Sequence, residues 1–322
     1  MLIDLAPGDE VIMPSFTFVS TANAIVLRGA TPVFADVDPI TFNLDPVAVE
    51  AAITPRTRAI LPVHYAGVPA DMTRLRQIAQ AYGLTLIEDA AQALGSSRDG
   101  RPAGSVAPLA AVSFHATKNI VAGEAGALII NDPDLVERAT FIREKGTNRA
   151  QFAAGRSPFY TWQDIGSSYV VCELAAAFLY GQLLGQEEIQ SRRMALWSAY
   201  AEAFGELDQT GVLSLPRPPP TVRHNAHIFF VVLPDKERRI ALQEHLRAQG
   251  VTAAPHFVPL HDSPAGRKYG RVSGSLENTQ VAAECLLRLP LFVGLEDAQA
   301  RVIDALYDWA TTRSYPIAKF GS

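Results

Sequence analysis

The chain has 322 residues, 48% hydrophobic and 19% charged, enough apolar material for one large domain or two. Its formal net charge is −5 and it has no run of Lys and Arg, so no nucleic-acid partner is expected. Cys172 and Cys285 are the only cysteines, form no C-x-x-C and are too few for a disulfide framework, which points to a reducing compartment.

The opening "MLIDLAPGDE" carries acids where a signal peptide carries bases. Short apolar runs then recur: "EVIMP" (10–14), "TPVFADVD" (31–38), "RAILPVHYAG" (58–67), "LTLIEDAAQ" (84–92), "AAVSFHATK" (110–118) and "GALIIND" (126–132). Helical patterns separate them. In "ADMTRLRQIAQAYG", Asp71 is the expected N-cap, Met72, Leu75, Ala79 and Tyr82 share one face, and Gly83 closes the helix. Continuous apolar strands imply a sheet covered on both faces, and the strand–helix alternation implies a mostly parallel α/β sheet.

Further along, "DLVERATFIREKG" (134–146) reads as a helix and 170–205 as a long helical region. Its most apolar part, "YVVCELAAAFLYGQLLG", is broken by Glu173 and Gln182 and is too short to span a bilayer, so no membrane association is expected and a cytoplasmic protein is. The Pro-rich "LPRPPPT" (215–221) cannot continue a helix. "AHIFFVVLP" (226–234) reads as a strand, "KERRIALQEHLRAQG" (236–250) as an amphipathic helix and "VTAAPHFVPLH" (251–261) as extended chain. The expected organisation is a large α/β domain over residues 1–195 and a smaller α+β domain over 196–322.

Ligands on parallel sheets collect at the carboxyl ends of the strands. Asp89 and Lys118 both fall near such ends, 29 residues apart, one helix-sized excursion and one strand. A carboxylate and an amine aimed into one crevice suit pyridoxal phosphate: the amine bonds the cofactor aldehyde and the carboxylate keeps the pyridine nitrogen protonated. Spacing alone leaves an ordinary ion pair or a solvated lysine open.

Longer motifs narrow the choice. "PGDEVIMPSFTFVSTANAI", "PVHYAG", "IEDAAQA", "SFHATKN" and "REKGTNR", in that order, resemble the DegT-type sugar aminotransferases, a family of pyridoxal-phosphate-dependent enzymes with fold type I. "YTWQDIGSSYVVCELAAAFL" and "HFVPLHDSPAG" are most similar to the branch that makes 4-amino-4,6-dideoxygalactose on a dTDP carrier. The resemblance runs from about Pro7 to the "AECLLRLPLF" region.

The resemblance implies a role for each matching residue. Lys118 matches the lysine that bonds the cofactor, Asp89 the partner of the pyridine nitrogen and Gln92 the side chain near the ring hydroxyl. Ser113 matches a hydroxyl that donates to the phosphate, and Phe18 an aromatic that stacks on the ring; by residue type alone, Phe18 also suits ordinary core packing. The implied reaction moves an amino group from an amino acid, L-glutamate, to the C4 ketone of a dTDP-4-keto-6-deoxyhexose, for surface-polysaccharide or amino-sugar biosynthesis, in a homodimer.

Two departures from the family pattern bear on this. The family opens with a helical segment and a small-residue turn whose backbone N–H groups cradle the phosphate. Nothing of the kind precedes "LIDLAPGDE", so amino-terminal truncation and weakened cofactor affinity are expected. Where the family has an asparagine contributed by the partner subunit, this chain reads "GSSYVV", with Ser167, Ser168 or Tyr169 in its place.

His256 and His261, in "HFVPLH", and Arg149, in "GTNR", are candidates for the nucleotide-sugar; packed or solvated roles stay open for each. His64 follows a strand and is a weaker candidate. His224 and His227 lack a third ligand, and with no H-E-x-x-H or cysteine cluster no metal is expected. No G-x-S-x-G or strand-borne G-x-G-x-x-G supports a serine hydrolase or a nicotinamide dehydrogenase. Two rivals remain: a sugar-nucleotide dehydratase on the same fold, whose members replace the lysine by histidine, and a non-catalytic, truncated protein of that fold.

Overall fold

The computed structural model describes residues 1–312. Its strands are β1 (Glu10–Pro14), β2 (Thr31–Ala35), β3 (Thr57–Ile60), β4 (Thr85–Asp89), β5 (Ser97–Arg98), β6 (Arg101–Pro102), β7 (Leu109–Ser113), β8 (Gly126–Ile130), β9 (Val222–Arg223), β10 (Phe229–Val232), β11 (Arg271–Val272) and β12 (Leu286–Leu289). The helices are α1 (Val19–Val26), α2 (Pro46–Ala52), α3 (Met72–Tyr82), α4 (Val136–Arg143), α5 (Arg149–Ala153), α6 (Glu173–Leu184), α7 (Gln186–Ala203), α8 (Gly205–Gln209), α9 (Lys236–Ala248), α10 (Pro264–Tyr269), α11 (Glu277–Cys285) and α12 (Gln299–Thr312).

Seven strands form one sheet in the order β11-β2-β1-β3-β4-β7-β8. Every neighbouring pair is parallel except β7 with β8. The expected mostly parallel α/β sheet is what forms. All five residues of β1 are buried, as a central strand covered on both faces requires.

Local chemistry fixes the helix ends. Asp45 accepts from Val47 N ahead of α2, and Asp71 accepts from Arg74 N ahead of α3. Gly83 ends α3 at φ 66°, a left-handed position that costs glycine little. The buried face of α3 is Met72, Leu75, Ile78 and Ala79. Tyr82, expected on that face, is exposed instead, its hydroxyl near Glu50; an amphipathic phenol keeps its polar tip in water. The helical region 170–205 is two helices, α6 and α7, which meet at Gly185.

A second core lies around the antiparallel pair β10–β12. Phe229, Val231 and Leu287 pack there with Tyr200 and Phe204 from the α7 end and Leu306 and Trp309 from α12. The chain then returns to the large sheet, where β11 adds to the edge of β2. Glu10 on β1 is 2% exposed and receives bonds from Arg271 of β11, from Arg56 and from the Thr54 hydroxyl.

Candidate active site

Alternation along β4 sends successive carboxylates to opposite faces. Glu88 is fully buried: it bonds His64 Nε2 at 2.8 Å and accepts from the backbone N–H groups of Gly104, Val106 and Ala107. His64 is therefore a structural brace beneath the site. Asp89, the next residue, closes the strand. Its backbone N donates to Pro62 O and its O accepts from His64 N, which fixes it to the chain leaving β3.

The Asp89 carboxylate is held at both oxygens. Oδ1 accepts from Ala91 N at 3.1 Å, and Oδ2 accepts from the Thr21 hydroxyl at 2.8 Å. Thr17 Oγ1 stands 3.0 Å behind Thr21 Oγ1. Sequence reading missed both threonines, since nothing at 17 or 21 marks a contact with residue 89.

Lys118 sits in the loop after β7, its backbone N–H bonded to His115 O. Burial holds its amine below the ordinary lysine range, while Asp89 pulls the other way. Among the described residues no carboxylate lies within 4.0 Å of the amine, so the two groups interact without forming an ion pair.

Gln92 is buried, and its side-chain oxygen accepts from Ala66 N at 2.9 Å, which leaves its NH₂ free to donate. Asn225 clamps the same turn, donating to Gln92 O and Leu94 O. Its Oδ1 lies against Gly67, where φ is 82° and a Cβ would overlap that oxygen. Ser113 ends β7 with its hydroxyl oxygen accepting from His115 N. Phe18 is not core: it is 59% exposed, while its neighbours Thr17 and Thr21 are buried.

His256 is drawn into the site. Its Nδ1 meets the Tyr65 hydroxyl at 2.8 Å and its ring stacks on Phe257. Burial, with Arg288 and Lys118 nearby, pushes its pKa down to about 2, so the imidazole is neutral. His227, which sequence reading weighed only as a metal ligand, bonds Asn119 Oδ1 at 3.0 Å; burial, then the charge of Lys118, holds it well below the usual histidine range. Arg193 reaches in from α7 to the carbonyls of Ala226 and His227.

The other two candidates have partners of their own. His261 bonds Ser15 through Nδ1 at 2.8 Å. Arg149 is exposed at the start of α5 and pairs with Glu144 at 3.5 Å; no contact among the described residues joins it to Lys118 or Asp89. No group of three His, Cys, Asp or Glu side chains among the described residues is arranged to hold a metal, and no helix there is long and apolar enough to cross a membrane.

The donor set fits pyridoxal phosphate. A poorly solvated amine lies within electrostatic reach of a fixed carboxylate without touching it, Gln92 keeps an amide NH₂ free in the turn after β4, and Ser113 places a hydroxyl at the end of the neighbouring β7. These groups are of the kinds that an aldehyde, a ring nitrogen, a ring hydroxyl and a phosphate would take.

Comparison with known proteins agrees with this chemistry. The model of the DegT/DnrJ/EryC1/StrS aminotransferase family matches residues 1–307. The chain is 39% identical over 311 residues to dTDP-3-amino-3,4,6-trideoxy-alpha-D-glucose transaminase of Streptomyces venezuelae, covering 96% of this chain and 78% of that protein. Among solved structures, DesV of S. venezuelae in complex with a ketimine intermediate superposes with a TM-score of 0.85 at 38% identity, covering 96% of this chain and 81% of that one. The aminotransferase TlmJ of Streptoalloteichus hindustanus gives a TM-score of 0.88 at 32% identity, with 97% and 82% covered.

Proposed function

The chain belongs to the DegT/DnrJ/EryC1/StrS aminotransferase family, and from that premise we propose that it transfers an amino group from L-glutamate to the C4 ketone of a dTDP-4-keto-6-deoxyhexose. It is a fold type I aminotransferase whose cofactor is pyridoxal 5′-phosphate. The observation that carries the proposal is the Lys118 amine, depleted of water and facing Asp89 without an ion pair.

Bound pyridoxal phosphate supplies an electrophilic aldehyde and a ring that accepts electrons. The chain's residues do the rest. Lys118 is the residue that would hold the cofactor through its aldehyde, and its Nζ, when free, would take the proton from the donor's α-carbon and later give one to the sugar carbon. Its lowered pKa makes the unprotonated amine easier to reach near neutral pH. Asp89, held by Thr21 and Ala91 N, keeps a proton on the ring nitrogen. Ser113 and the Gln92 NH₂ orient the ring, and Phe18 covers one face. His256 and His227, both kept neutral by burial and nearby cations, lie within electrostatic reach of Lys118 without competing for protons.

The test is spectroscopic. Purified protein with pyridoxal phosphate should show a visible absorbance band that L-glutamate bleaches and dTDP-4-keto-6-deoxyglucose restores, with the new amine at C4 by NMR. Absence of any band at excess cofactor would sink the proposal in favour of a non-catalytic protein. A second reading, amination at C3, is favoured by the name of the 39%-identical relative; a dTDP-3-keto sugar restoring the band faster would establish it. A dehydratase is disfavoured by Lys118, which stands where such relatives carry histidine.

The working unit is proposed to be a homodimer in the cytoplasm, serving surface-polysaccharide or amino-sugar biosynthesis. Phe159, Trp162, Tyr169, Leu174, Phe178 and Leu184 are all exposed on one stretch of chain, an apolar surface of the kind that marks protein–protein contact. Two cysteines without a disulfide fit a reducing compartment.

A further inference from the structure

Lys118 is carried by a loop that mostly holds itself. Among the described residues, the hydrogen bonds of 114–124 close within 113–125, with the side chain of Asn119 as the exception. Phe114, Ile120 and Ala122 also pack in an apolar cluster, but such packing is not directional. Asn119 Nδ2 donates to Asn225 O at 2.7 Å, and Asn119 Oδ1 lies 3.0 Å from His227 Nδ1. The residue next to the reacting amine thus bridges to the segment between β9 and β10, 106 residues further along the chain.

The far side of that bridge is rigid. Asn225 is buried, and its own amide donates to Gln92 O and Leu94 O. Arg193 donates to Ala226 O and His227 O. Ala226 has φ 48°, a left-handed conformation that an alanine keeps only where its surroundings impose it. The bridge also settles the imidazole. A carbonyl oxygen only accepts, so the Asn119 NH₂ faces Asn225 and the Asn119 oxygen faces His227. The neutral ring therefore carries its proton on Nδ1, donates it to Asn119 and keeps Nε2 bare.

We propose that Asn119 is a positioning residue for the reaction: its two bonds fix the Lys118 loop against the segment that clamps the Gln92 turn, and hold His227 in its Nδ1–H form. This rests on the transaminase reading above. An amine that must reach first an aldehyde and then a carbon-bound proton gains from a fixed approach, since a misplacement of about 1 Å can cost about a hundredfold in rate.

Three variants test it, first without cofactor and then with it. In cofactor-free Asn119→Ala, hydrogen exchange of residues 114–124 should quicken about tenfold or more, while β10 and β12 keep their rates. With pyridoxal phosphate bound, the pH midpoint of the visible band should move by about half a unit or more. kcat should fall about ten- to hundredfold, with the half-saturating glutamate concentration within about twofold of wild type. His227→Asn places an amide N–H where Nδ1 stands and should keep the wild-type exchange rate and band midpoint; His227→Leu should move both towards those of Asn119→Ala. Wild-type exchange and midpoint in Asn119→Ala overturn the proposal. Faster exchange throughout the chain also overturns it, since the bridge would then serve stability alone. So does a rise in half-saturating glutamate with kcat unchanged, which would place Asn119 against the substrate. If Asn119→Ala does not fold, the His227 pair decides, and identical exchange and midpoints in the two overturn the proposal. If glutamate does not bleach wild-type protein, the transaminase reading fails and the proposal with it; if it does and Asn119→Ala matches wild type, only the bridge fails.

Discussion

The Thr21 hydroxyl donates to Asp89 Oδ2 at 2.8 Å, joining the first turn of α1 to the last residue of β4. Asp89 can serve a ring nitrogen only while its carboxylate keeps one orientation, and Thr21 is one of two groups that set it. A hydrogen bond to a charged acceptor contributes about 1.5–3 kcal/mol. Thr21→Val should therefore lower kcat about tenfold or more and shift the cofactor band, while Thr21→Ser should restore both. Wild-type kcat and spectrum in Thr21→Val would show that Ala91 N suffices.

Lys118 should oppose stability in the cofactor-free protein. Its pKa is lowered in the folded chain, so at neutral pH folding must bury a charge that the unfolded chain hydrates. The penalty is full below the folded pKa and vanishes as pH rises past the free-lysine value of 10.5. Lys118→Met should resist urea better than wild type at pH 7, and the gap should close by about pH 10–11. It should also abolish amino transfer. A gap that widens with pH would contradict this account.

Glu10 carries the opposite sign. Its bonds to Arg271, with help from Thr54 and Arg56 and against the cost of burial, lower its pKa from 4.5 to about 2. A depressed carboxyl contributes stability above its unfolded pKa that is lost as pH falls through the folded one. The shift corresponds to about 3 kcal/mol at pH 7, lost between about pH 5 and pH 2. Glu10→Gln should lower urea stability at pH 7 by an amount of that order and flatten the acid limb. Since Arg271 ties β11 to Glu10 of β1 across β2, hydrogen exchange around residues 264–272 should quicken as well.

The exposed face of α6 provides a test of assembly. Leu174 is 86% exposed and Phe178 56%. A charge buried in an apolar interface without a partner costs several kcal/mol. Leu174→Glu with Phe178→Glu should convert a dimer to a monomer in sedimentation at micromolar concentration. Identical sedimentation of wild type and double variant would exclude this face from the contact.

Sheet and cofactor chemistry were legible for different reasons. Apolar runs at 10–14, 31–35 and 85–89 need burial on both sides, and that need is written locally. Lys118, Asp89 and Gln92 could be nominated because strand ends converge in a parallel sheet and because long motifs accompany them. Thr21, Tyr65, His227 and Arg288 were not. Each looks like an ordinary residue of its own segment and gains meaning only when chain ends nearly 270 residues apart are packed together. His64, a weak candidate in the sequence, gains its partner only from the alternation that turns Glu88 inward. Arg149 sits in a matching motif, yet it is itself exposed and, among the described residues, pairs only with Glu144.

The contact between Gly67 and Asn225 makes a harmless-looking turn intolerant of change. Any side chain at 67 would evict an amide that anchors the strand of chain bearing Gln92 and lies one residue from the carbonyl under Arg193. Two walls of the catalytic chamber would then loosen together, although residue 67 has no reactive atom to offer. Inactivating substitutions in this enzyme need not map to chemically active positions; a methyl group in the wrong turn is enough.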